Sequence, residues 1–227
     1  MQLSIGVLNM LRHSKNGNLA IHNESTFRGF SLQVDKGPFI RQYLERLDVT
    51  IGRALDQHSR VFAFRVDLRF PAAIDQRENE YTNKVVGEFI ASFKAIIKHN
   101  RQMIRSEKKY AHDSSVRYVW AREVGQHGRP HYHLAFFLNY DAFNALGKFE
   151  IGRDNMFNRL QQAWASALGC PVEAIMGLVE IPSNPSYCLR RDNPQGIEDF
   201  FYRASYLCKA ATKFYGNGQH GFGFSRV

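Results

Sequence analysis

Cysteine is scarce in this chain: Cys170, Cys188 and Cys208 are the only three in 227 residues. They form no C-x-x-C pair, and their odd number argues against a disulfide framework. Long apolar runs are missing too, none approaching the roughly 20 residues needed to span a bilayer. Residues 3–11 contain a short apolar stretch with no basic residue before it, so a secretory signal is not expected. No G-x-x-x-x-G-K-S/T loop is present, which leaves the chain without a recognisable ATPase or helicase motor. Repeats and low-complexity segments are absent as well. These absences predict a soluble, cytoplasmic protein with no membrane partner.

Acidic residues are outnumbered, 21 Asp and Glu against 30 Lys and Arg, giving a net charge of +9. With a pI near 9.6, that excess favours a polyanionic partner, nucleic acid ahead of a membrane surface. A hydrophobic content of 44% with 13% aromatics argues for a folded globular chain with one substantial core.

From Pro38 to about Leu55, apolar residues recur at helical spacing, and proline suits the first turn. Arg60–Phe70 alternates instead, with Phe62, Phe64, Val66, Leu68 and Phe70 on one face and Arg65, Asp67 and Arg69 on the other. Helical spacing returns over Asn83–Arg101. Two strands follow, Val116–Val124 and a second running to about Leu138, joined by a turn at Gly125–Pro130. Asp154–Leu168 is an amphipathic helix, Ala174–Ile181 a further strand, Pro182–Pro194 a loop, and about Gly196–Lys213 a final helix. The order from Arg60 is thus β-α-β-β-α-β plus a helix, an α+β chain with a ferredoxin/RRM-like antiparallel sheet. Its helices are expected on one face, leaving the other free for a site. Residues 1–58 form an N-terminal extension with one helix, and residues 59–227 the sheet-bearing domain.

The second strand of the hairpin begins His131-Tyr132-His133. Side chains at i and i+2 share one face of a strand, so both imidazoles point the same way. A hairpin folded at Gly125–Pro130 brings Glu123 beside them. Two imidazoles and one carboxylate, with other positions left to water or substrate, have the composition of a catalytic metal site. Such a mixed nitrogen and oxygen set fits Mn²⁺ or Mg²⁺ and would accept Zn²⁺ or Co²⁺. The alternative is two surface histidines facing solvent. His127, in the turn, reads as a solvated loop residue, and Asp67 either as a support for the site or, more readily, as the partner of a neighbouring arginine.

On the last helix, Tyr202, Tyr206, Lys209 and Lys213 fall within a sector roughly 60° wide at about 100° per residue. Phe200, Phe201, Ala204, Leu207, Cys208 and Ala211 lie opposite, so the phenols and ammonium groups are expected to face outward. A phenol, with an ordinary pKa of about 10, needs a nearby cation or metal to attack phosphorus. Lys209, three residues after Tyr206, could provide it or bind a phosphate. Arg190 and Arg191 in the preceding loop, with Tyr187 beside them, suit single-stranded nucleic acid, as does Lys213. Each of these could equally be a solvated surface residue.

Taken together, Glu123, His131-Tyr132-His133 and Tyr206-Leu-Cys-Lys209 resemble the HUH endonucleases. With Arg65-Val-Asp-Leu-Arg69 and Ser205-Tyr-Leu-Cys-Lys209, the pattern is similar to the inovirus replication-protein family of filamentous phages and bacterial prophages, over about residues 38–227. The resemblance implies an HUH-like nuclease domain that initiates rolling-circle replication by nicking and joining one strand at an origin of single-stranded DNA. It implies that Glu123, His131 and His133 hold a divalent cation, that Tyr206 is the nucleophile assisted by Lys209, and that Tyr202 could be a second tyrosine. It further implies a bacterial host whose helicase would do the unwinding. Tyr132 departs from the usual aliphatic residue between the histidines, and the early motif on the first strand matches poorly. A domesticated prophage protein that binds DNA in a sequence-specific way without cutting is the competing expectation, and a ferredoxin-like RNA binder a third.

Overall fold

Arg60–Leu68 extends as its alternation requires, and the rest of the molecule is assembled around it. The computed structural model describes residues 11–71, 82–125, 128–216 and 218–226. Five short strands come first, β1 (Arg12–His13), β2 (Asn16–His22), β3 (Thr26–Phe27), β4 (Phe30–Ser31) and β5 (Phe39–Ile40), then α1 (Arg41–Gln57). The helix expected from Pro38 starts at Arg41 because Phe39 and Ile40 extend to pair with β2. There follow β6 (Arg60–Leu68), α2 (Asn83–Glu107), β7 (Arg117–Val124), β8 (Pro130–Asn139), α3 (Met156–Leu168), β9 (Val179–Glu180), β10 (Ser186–Arg190), α4 (Pro194–Ser205) and β11 (Phe222–Phe224).

The main sheet has the order β10-β6-β8-β7-β11, with β9 also against β6. Every pairing is antiparallel, and the chain is α+β. Strand β8 is central, and its Leu134–Leu138 run is buried throughout, as a strand covered on both sides must be. Phe62, Phe64, Tyr132, Leu134 and Phe136 pack with Phe89 and Phe93 of α2 and Leu160 and Trp164 of α3.

The second face is not open, which corrects the expectation of helices on one face only. Val61, Ala63, Val119, Ala121, Ala135 and Phe137 pack there with Leu44, Leu47 and Ile51 of α1 and Phe200, Phe201 and Ala204 of α4. The polar alternation at Arg65 and Asp67 holds only for the second half of β6; nearer its start the same face carries Val61 and Ala63. Phe27, Leu32 and Phe39 belong to this second core as well. The boundary expected at residue 58 therefore cuts through packed side chains rather than a linker.

Other differences have local causes. Helix α3 begins at Met156, where the Asn155 side chain accepts from the Asn158 N–H, and it stops at Gly169, whose φ of 64° suits glycine. Residues 174–181 give only a 3₁₀ turn, Val172–Ile175, and the short β9. The expected loop before the last helix contains β10, paired along β6 from Ser186↔Phe64 to Arg190↔Arg60. Helix α4 ends at Ser205 instead of reaching Lys213, and one 3₁₀ turn, Tyr206–Cys208, follows. Beyond it, Ala210 N–H donates to Pro38 C=O at 2.7 Å and Lys209 bridges to Phe39, so the backbone leaves the helix to pair with the segment before α1.

Candidate functional site

Register alone gathers the first four residues. Glu123 on β7 lies opposite His131 on β8, and His133 lies opposite Asp67 on β6. Directly opposed residues share a face, so two carboxylates and two imidazoles meet where the three strands end. One ligand atom from each of Glu123, His131 and His133 can be chosen so that all lie within 4.8 Å of one another. Glu123 Oε2 is 3.5 Å from His133 Nε2 and 3.8 Å from His131 Nε2.

Asp67 meets both of its expected roles. Its Oδ1 is 2.8 Å from His133 Nδ1 and 3.6 Å from Arg65, so it faces the imidazole as well as the expected arginine. Both His133 ring nitrogens are buried, and neither has an aligned hydrogen-bond partner; the close approaches to Asp67 and Glu123 are charge contacts. A carboxylate at Nδ1 favours the tautomer that leaves Nε2 free for an ion. The donor set therefore fits a metal ion at Glu123, His131 and His133.

Charge shapes the site further. Burial opposes ionisation of Glu123, yet His133, Lys213 and Lys209 together hold its carboxyl far below the usual range. Burial also works against a charged His133, but contacts with Asp67 and Glu123 prevail and raise its pKa. His131 moves the other way, down to about 4, through burial and the neighbouring His133. The two imidazoles thus differ: His131 gives up its proton far more readily than a free imidazole, and His133 holds its proton more firmly.

The turn after α4 delivers the remaining groups. Lys209 Nζ donates to the Tyr206 hydroxyl at 2.6 Å and lies 2.9 Å from Glu123 Oε2. Lys213 Nζ takes the other oxygen, Oε1, at 2.9 Å. The Tyr206 ring stands edge-on to His133, centroids 5.1 Å apart, and the Arg65 guanidinium lies 5.4 Å from its centroid. Tyr206 lines a cleft of about 500 Å³ with His131, His133, Asp67, Arg69 and Arg129. The site thus unites a phenol, an ammonium group and a ligand triad, with Tyr206, His131 and His133 lining the recess and Lys209 and Glu123 buried.

Other sequence candidates lie elsewhere. Lys213 was expected at the surface in contact with DNA; it is 6% exposed and committed to Glu123. Tyr202, 43% exposed, lines a separate cleft with Tyr187. Arg190 and Arg191 are at the Arg60 end of β6, lining a third cleft, roughly 20 Å along the strand from Asp67. They pair with Asp192 and Asp56. His127 is outside the described residues. Sequence reading missed Arg65 as a site residue, although its place two positions before Asp67 on one strand face was available from the alternation.

Comparison with known proteins returns a coherent set of relatives. "Uncharacterized protein YfjJ" of Escherichia coli (strain K12) is 32% identical over 200 residues, covering 84% of this chain and 96% of that protein. "Uncharacterized protein YagK" of the same strain is 28% identical over 199 residues, covering 84% and 95%. No solved structure matches. The model of one family matches residues 22–225, a span that includes the whole sheet and every residue of the site: the chain belongs to the YagK/YfjJ C-terminal domain family.

Proposed function

We propose that this protein is a metal-dependent tyrosine nickase and strand transferase of the HUH type, related to the inovirus initiators, acting on single-stranded DNA at the origin of a phage or prophage-type element. The observation that carries the reading is the contact of Lys209 with both the Tyr206 phenol and Glu123, because it ties a nucleophile to the ligand triad. The strand order β10-β6-β8-β7 supports the ferredoxin/RRM-like form of the fold, since β6 and β7 run parallel with β8 between them.

In the reaction, the Tyr206 oxygen attacks a backbone phosphorus and the bond to the 3′ oxygen breaks. The phenol gives up its proton and the leaving 3′ oxygen takes one, so a 5′-phosphotyrosyl ester and a free 3′-hydroxyl result. The ester conserves the bond energy, and a 3′-hydroxyl attacking it rejoins the strand without ATP. Lys209 holds positive charge beside the attacking oxygen, and Arg65 and His133 keep the ring in place. A divalent cation, Mn²⁺ or Mg²⁺, held by Glu123, His131 and His133 would place positive charge near the non-bridging phosphate oxygens. A host helicase would supply the unwinding, and the work would be cytoplasmic.

A second reading is favoured by one feature: both oxygens of Glu123 are already held by lysines, so the cluster could be a structural ion network in a DNA-binding protein that does not cut. The test is incubation with Mn²⁺ and a pool of random single strands labelled at the 3′ end. The nickase reading expects a covalent adduct that resists denaturing gels and vanishes in Tyr206→Phe. An adduct persisting in that variant refutes the nucleophile, and tight binding without any adduct supports the second reading.

A further inference from the structure

The cleft between β10 and α4, about 490 Å³, is lined by Tyr187, Tyr202, Asn184, Gln195, Glu198 and Arg203. We infer that it is a nucleobase subsite, holding the base of the nucleotide next to the scissile phosphate and preferring bases that carry an exocyclic amino group. The inference rests on the reading of the Tyr206 cleft as the place where the strand is attacked.

Position comes first. Tyr202 and Tyr206 are four residues apart, about 6 Å along a helix axis, which is the scale of one extended nucleotide. Between their clefts lie two arginines. Arg65 approaches the Tyr206 ring and donates to Arg203 C=O at 3.4 Å. Arg203 donates from Nη2 to Ser183 C=O at 2.8 Å, while its Nε is buried without a partner. Arg65 is buried and holds the Tyr206 ring and the end of α4 together, while Arg203 lines the Tyr202 cleft, so a strand with a phosphate at Tyr206 would pass one guanidinium group before its next base reaches Tyr202.

Chemistry then selects the occupant. Tyr187 is braced edge-on by Phe200, centroids 5.4 Å apart, and Tyr202 presents an exposed ring, so the cleft offers aromatic surface to a planar group. Glu198 accepts from Ser31 Oγ and Asp199 from Gln195 Nε2, and each carboxylate retains lone pairs. Two negative groups repel a phosphate in this cleft, but they accept from the amino group of cytosine or adenine. Thymine has no such group. Tyr202 becomes a stacking platform rather than a second nucleophile.

The experiment measures affinity of the full chain for oligo-dC, oligo-dA and oligo-dT single strands of equal length, in EDTA so that nothing is cut. The wild-type protein is expected to bind oligo-dC and oligo-dA more tightly than oligo-dT. Tyr202→Ala is expected to lose roughly ten-fold in affinity, and Tyr202→Phe, which keeps the ring, to restore it; circular dichroism checks that each variant is folded. Equal binding of all three strands, or unchanged affinity in Tyr202→Ala, overturns the subsite while leaving the adduct assay to judge the nickase. Failure to bind any of the strands likewise overturns the subsite, and the adduct assay judges the nickase separately.

Discussion

A carboxylate as deeply buried as Glu123, 1% exposed, stays ionised only if cations and donors replace its lost hydration. Here Lys209, Lys213 and His133 do so. Burial alone would push the Lys213 ammonium toward neutrality, and its pKa does fall, with Glu123 opposing the fall. The pair is therefore costly to break by halves. Lys213→Met should lower unfolding free energy by about 3 kcal/mol, read from urea denaturation. Combining it with Glu123→Gln should return most of that loss; a double variant no more stable than the single one would show that the charge pair is not the cause. The imidazoles make a separate prediction. An ion must displace a proton from His133, whose pKa is raised, whereas His131 titrates only near 4. Affinity for Mn²⁺, measured by calorimetry, should therefore climb as pH rises through and beyond about 6.5. The metal-free protein runs the opposite way: stability from the favoured imidazolium is complete below that value and fades as pH rises through the raised one. A calorimetric profile that changes only near pH 4 would transfer control to His131.

At the scale of elements, the end of α4 decides whether the site exists. The last carbonyls of a helix lack intrahelical donors, and here the Gln33 side chain supplies them, donating from Nε2 to Tyr202 C=O at 2.9 Å and Arg203 C=O at 3.0 Å. Ser205 Oγ also donates to Tyr202 C=O. Gln33→Ala should cost about 1–2 kcal/mol and speed amide exchange over Tyr206–Lys209; unchanged exchange there would mean the turn is held without Gln33, through Pro38 and Phe39. This tie also explains which parts of the site were legible in the sequence. The hairpin could be read because Glu123, His131 and His133 depend on period two and a short turn, both local properties. The route of Lys209 and Lys213 to Glu123 could not. Residues 206–213 carry good helical spacing, and contacts distant in sequence, with Pro38 and Phe39 some 170 residues earlier and with Val124, override it. Sequence pairing of Tyr206 with Lys209 survived because three residues of 3₁₀ turn also bring them together.

At the scale of the whole molecule, covering both faces of the sheet confines the chemistry to its edge. Under the proposed function a strand of DNA would not lie across the sheet, since α1 and α4 occupy one face and α2 and α3 the other; its scissile phosphate would enter by the end where Asp67, His131 and His133 line the cleft. The open face was expected from the ferredoxin-like order of elements, and the polar residues Arg65, Asp67 and Arg69 at one end of that strand face agreed with it. What closes the rest is small side chains: Ala63, Ala121 and Ala135 are each fully buried and let α1 and α4 approach the strands. Close-packed interiors tolerate added volume poorly. Ala135→Leu, on the central strand two residues beyond His133, should therefore destabilise the fold by about 1–3 kcal/mol, seen as a lower denaturation midpoint with an unchanged slope. Were the helices absent from that face, the added leucine would sit in solvent and the midpoint would hardly move, so the same measurement distinguishes a sheet buried on both sides from one left open on the site's face.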